Sequence, residues 1–88
     1  MTVFGGRGIK NVQEGTITIP DTETEEEATI TAIDTDKSML LYGGVTSPLS
    51  NAYHFECIIN IESTTSVKAT RHGNNNPTTV AYTVVEFY

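Results

Sequence analysis

A single cysteine, Cys57, among 88 residues excludes an internal disulfide framework and any metal site of the Cys-x-x-Cys kind. Bases are scarce as well: five Lys and Arg stand against eleven Asp and Glu, for a formal charge of −6. A nucleic-acid partner is not expected, because affinity for DNA or RNA depends on neutralising phosphates. No apolar run approaches the roughly 20 residues of a membrane-spanning helix, and residues 1–10 lack the apolar stretch of a signal peptide. Neither a membrane partner nor a secretory leader is therefore expected. Leucine (3) and alanine (5) are few, which argues against a helical bundle, a coiled coil or a βαβ nucleotide-binding fold. No phosphate-binding loop or dinucleotide fingerprint is present.

What the chain does have is branched side chains. Valine, isoleucine and threonine supply 30 of the 88 residues. They fit a pleated sheet and are stiff in a helix. The length allows one domain. Turn signals recur between short β-rich runs, which is the rhythm of a sandwich or barrel. The expected fold is all-β: a six-stranded antiparallel β-sandwich over residues 11–88, preceded by a flexible N-terminal arm, residues 1–10.

Strands are expected at 12–19, 28–33, 39–45, 53–62, 66–71 and 78–88. In the first, Ile17 and Ile19 alternate with Thr16 and Thr18, and Pro20 ends the run because it cannot donate to a ladder. In the second, Ala28, Ile30 and Ala32 share a side. The third is more continuously apolar and reads as a central strand, with Gly43 and Gly44 marking its end or a bulge. The fourth alternates Tyr53, Phe55, Cys57, Ile59 and Ile61 with polar residues, and the fifth turns Val67 and Ala69 inward. The sixth is apolar on both faces: Val80, Tyr82 and Val84 on one, Ala81, Val85 and Phe87 on the other. Either a neighbouring subunit covers the second face, or a bulge at Val84–Val85 shifts the register.

Charge is unevenly spread. Seven of the eleven acidic residues lie between 21 and 36, a stretch that holds no base before Lys37. The run Asp21 to Glu27 is expected to be a solvated loop. Asp34 and Asp36 are placed to cap backbone amides of a local turn.

Few groups are available for chemistry. A Cys57–His54 pair fails on geometry, since residues three apart in a strand point to opposite faces. Cys57 reads as a small core residue. The acidic run lacks the ligand order and the glycine of a calcium loop. An enzyme, a metal and a cofactor are therefore not expected. Sugar binding is a fairer contender: Tyr53, His54, His72 and Asn74 supply the aromatic and amide groups that sandwich lectins use, although Asn and Gly equally make turns. The arm carries apolar Val3 and Phe4 with the cations Arg7 and Lys10, and reads as a docking segment.

The order "NVQEGTITI", "ATITAID…KSML", "CIINIESTTSVKATR" and "TVAYTVVEF" resembles a family of small structural proteins of tailed bacteriophages and prophages. The resemblance spans about residues 9–87. The acidic run at 21–27 and the glycine-rich start depart from the shared pattern. The layout is also similar to the six-stranded H-type lectin sandwich, which assembles into trimers or hexamers. The resemblance implies a virion component, made in the host cytoplasm, that works by assembly and not by catalysis. A capsid decoration or auxiliary protein is the leading expectation. A glycan-binding tail or fibre module, or a tail or neck component, is the alternative. The expected partners are further copies of the chain, as a trimer, and the major capsid protein or another virion protein. Tyr82, Val84, Val85, Phe87 and Tyr88 are the expected oligomer contacts. Val3, Phe4, Arg7 and Lys10 are the expected docking arm.

Overall fold

The computed structural model describes residues 8–46, 57–73 and 76–88. Six strands follow in order: β1 (Ile9–Ile19), β2 (Glu25–Thr29), β3 (Ser38–Thr46), β4 (Cys57–Ser63), β5 (Ser66–Arg71) and β6 (Thr78–Phe87). They form two three-stranded antiparallel sheets, ordered β1-β6-β3 and β2-β5-β4. The fold is all-β and compatible with a small β-sandwich. Between β4 and β5, Thr64 and Thr65 reverse the chain, and the Ser63 hydroxyl accepts from the Thr65 amide at 3.2 Å.

The core lies between the two sheets. Ile19, Val67, Ala69 and Val80 are fully buried, and Ile17, Val84, Ile30, Ile33 and Tyr82 complete the cluster. Fully burying each Ile or Val contributes about 1.5–3 kcal/mol relative to exposure, so these few residues decide the stability of so small a domain.

Several expectations are corrected. The acidic run is not wholly a loop, because Glu25, Glu26 and Glu27 are strand residues of β2. They sit at the edge of their sheet, where charge discourages pairing with a stray strand. The 28–33 segment stops laddering at Thr29. Beyond it the buried residues are Ile30 and Ile33, while Ala32 is exposed, because the chain leaves one sheet for the other. There the Ile30 and Ile33 amides donate to the Thr65 and Thr64 carbonyls at 2.8 and 2.9 Å. β3, read as central, is an edge strand, and β6 is the central one. Within the 53–62 run, residues 53–56 lie outside the described part.

β6 also has no bulge at Val84–Val85. Its register is continuous there, with Val84 opposite Gln13 and Leu40, and Val85 opposite Val12 and Met39. Register shifts occur instead between Ile9 and Asn11, Tyr42 and Gly44, and Ile61 and Ser63. Both faces of β6 are apolar because it is flanked on each side and carries the core on one face.

Gly15 lies opposite Tyr82 in the ladder. A Cβ there would meet the Tyr82 Oη at 2.5 Å and its Cζ at 2.8 Å, so the absence of a side chain is what lets the ring lie flat across β1. Gly15→Ala is expected to destabilise the fold by about 1–3 kcal/mol through overpacking. Tyr82→Phe in the same chain should recover part of that loss, a coupling that urea denaturation of the two single and the double variant measures.

Candidate functional site

The two sheets present unlike outer surfaces. On the β2-β5-β4 sheet the outer face is ionic. Lys68, on the central strand, reaches Glu25 of β2 at 3.2 Å and Glu62 of β4 at 3.8 Å. The hydrogen bond and charge of Glu25, then the charges of Glu62 and Glu27, hold the Lys68 ammonium above its ordinary range. Among the described residues, only Ile58, 70% exposed, interrupts this polar surface.

The outer face of the β1-β6-β3 sheet is apolar at one end. Cross-strand register puts Ile9 beside Phe87, and Val12 and Met39 on either side of Val85, with Leu41 next along β3. Val85 is 8% exposed, whereas Ile9, Val12, Met39 and Leu41 are 57%, 48%, 44% and 44% exposed. The flanking side chains cover the central valine and remain open themselves. Towards the other end the face is small and polar. A shallow depression there is lined by Thr16, Gly43, Gly44, Val45, Thr46, Thr79 and Ala81, and the Thr18 and Thr79 hydroxyls meet at 2.9 Å across the ladder. Among the described residues, Glu14 is the one acidic residue that register places on this face.

Buried polar groups fix the two ends of the sandwich. Arg71 is 6% exposed. Its Nε donates to the Glu23 carbonyl at 3.0 Å, its guanidinium nitrogens to the Pro20 carbonyl at 2.9 Å and the Thr78 hydroxyl at 2.7 Å, and also to the Asn76 carbonyl. The planar fork spreads its donors over four acceptors in two segments, which a lysine cannot do. The Asp21 carboxylate accepts from the Asn76 amide at 2.7 Å and closes the same end. At the other end Glu86, 5% exposed, accepts from the Asp34 amide at 3.0 Å, with the Lys10 ammonium 3.9 Å away. As expected from the turn chemistry, Asp34 Oδ1 accepts from the Asp36 amide at 3.0 Å. Along one flank the Gln13 side chain donates to the Thr31 carbonyl at 2.9 Å and accepts from the Thr31 amide at 2.8 Å.

The residues singled out from sequence fall in different places. Tyr82 and Val84 point into the chain's own core, and Val85 is covered by its own neighbours. These three offer little surface to a second copy, because the fold already buries them. Phe87 is half-buried, and Tyr88 is 61% exposed, its amide donating to the Gly8 carbonyl at 3.1 Å. Lys10 is exposed at the β1 bulge. Val3, Phe4 and Arg7 of the arm lie outside the described residues, as do Tyr53, His54 and Asn74 of the sugar-binding set. His72 is exposed in the loop after β5. Cys57 is half-buried, and burial pushes its thiol upward against the opposing pull of Arg71, which keeps it protonated and poorly nucleophilic. Among the described residues no group of three or more His, Cys, Asp or Glu is placed to hold a metal ion.

Sequence reasoning missed the surface residues Ile9, Val12, Met39 and Leu41, the half-buried Gln13, and the buried Arg71 and Glu86. Arg71 and Glu86 were within reach of the period-two pattern: Arg71 continues the inward series Val67 and Ala69, and Glu86 continues Val80, Tyr82 and Val84.

No family model, curated protein or solved structure matches the chain.

Two outcomes test these interactions. Arg71→Lys should destabilise the fold by about 1–3 kcal/mol, since buried acceptors lose their donors, as read by chemical denaturation. Lys68 has a raised folded-state value, so its contribution is present below the ordinary lysine value of about 10.4 and is lost as pH rises through the folded value. Thermal melts from neutral to strongly alkaline pH should show that loss in the native chain and a smaller one in Lys68→Met.

Proposed function

We propose that the chain is a non-enzymatic structural protein of a phage virion, most consistent with a capsid decoration or auxiliary protein, that acts by packing against other virion protein. The observation that carries this reading is the asymmetry of the two outer faces. Charged residues bridge one sheet, while Ile9, Val12, Met39 and Leu41 lie open on the other. Contiguous exposed apolar side chains on a small domain mark a surface meant for contact with protein. The motif order that resembles small phage structural proteins supplies the class of particle.

The docking surface in this reading is the outer face of β1-β6-β3, and the ionic face looks to solvent. Repetition of one copy across a symmetric particle multiplies weak contacts by avidity, so a face of modest area suffices. Its partners are further copies of the chain and the major capsid protein or another virion protein.

Co-sedimentation with particles made by cells that encode the chain tests this. The native chain should pellet with them, and Val12→Lys should lose about tenfold or more of its binding, since a charge is forced against an apolar contact. Ile58→Lys, on the ionic face, should bind as the native chain does. Purified particles that lack the chain would overturn the reading.

A further inference from the structure

We propose that the β3 edge, over residues 38–42, pairs antiparallel with the same edge of a second copy, joining two β1-β6-β3 sheets into one six-stranded sheet. The inference rests on the reading that this chain works by assembly, and it names one partner and the seam.

The four edge strands are not alike. β2 carries Glu25, Glu26 and Glu27 in succession, and β4 carries Glu62. β1 carries Lys10 and Glu14, and its flank is tied to the backbone of Thr31 through Gln13. β3, SMLLYGGVT, has no charged residue in its nine positions. Among the described residues no strand pairs with its second side. An uncharged apolar edge is a template for another strand. Copies of a chain with net charge −6 repel one another, so they meet most easily along a segment that carries none of that charge.

The edge also complements itself. Residues 38–42 pair regularly with β6, from Ser38 opposite Glu86 to Tyr42 opposite Tyr82, and the shift before Gly44 ends the regular stretch. A two-fold axis at Leu40 sets Met39 of one copy opposite Leu41 of the other, and Ser38 opposite Tyr42. Met39 and Leu41 lie on the outer face and are each 44% exposed. Paired in this way they extend the apolar patch across the seam, and cross-strand apolar pairs are the unit that stabilises a sheet. The pairing ends there in both copies, since residues 35–37 form a 3-10 turn and the register shifts before Gly44.

Analytical ultracentrifugation at micromolar concentrations is the first test. The native chain should sediment as a dimer or a multiple of dimers. The variant carrying Met39→Lys and Leu41→Lys should weaken the dimer about tenfold or more. Val12→Lys lies two strands away, roughly 10 Å, and should leave the dimer intact. A monomer, a trimer, or a dimer lost in Val12→Lys overturns the seam. None of these touches the virion reading, which stands or falls on whether particles contain the chain.

Oxidative cross-linking covers the case in which the double lysine variant does not fold. In a Cys57→Ser background, Met39→Cys chains mixed with Leu41→Cys chains should give mainly the mixed disulfide. Directly opposed Cα atoms lie about 4.5–5.5 Å apart in an antiparallel pair, within the span a disulfide bridges. No excess of mixed over same-type dimers overturns the register.

Discussion

A sheet of three strands has only one strand paired on both sides, and the described residues form two such sheets. Four of six strands are therefore edges, and their backbone groups need water, charge or a neighbour. The arrangement of side chains follows from that constraint. The two doubly paired strands, β5 and β6, carry the buried residues Val67, Ala69, Val80 and Val84, and β1 adds Ile17 and Ile19 beside them. The edges carry the glutamates, the bulges and the half-exposed apolar residues. With so thin a core, the residues that define the fold and those left over for contact are on adjacent strands.

The polar groups inside the sandwich act where the apolar layer runs out. Arg71 and Glu86 mark opposite ends of β6, with Thr78 beside the first, separated by a strand of about 30 Å. Each is satisfied chiefly by groups from connecting segments. Arg71 gathers the 20–24 and 76–78 segments, and Glu86 holds the amide at the start of the 34–37 turn. A hydrophobic side chain at either site would fill the space but leave the loops without a partner. These two charges fix where the connections cross between sheets, which the core cannot do alone.

Much of the architecture was legible because strands have a period of two. The inward residues Ile17, Ile19, Val67, Ala69, Val80 and Val84 follow from alternation, and six antiparallel strands follow from turn spacing. Strand order did not follow. The more continuously apolar β3 looks central, yet its apolar excess lies on an outer surface. The same pattern made β6 look short of cover, because Val85 reads as an exposed outward residue until Val12 and Met39 are known to flank it. The Glu25–Glu27 run looked like a loop because composition reports solvation, and an edge strand is as solvated as a loop. The candidate face was legible only in its outward periodicity, since Val12, Met39 and Leu41 come together from strands that sequence cannot order.

The Gln13 side chain presents an amide donor and acceptor to Thr31 just as a peptide group of another strand would. It thereby stitches the segment between β2 and β3 to the flank of β1. The Thr31 peptide groups, which belong to no ladder, are occupied in this way and are not open to a passing strand.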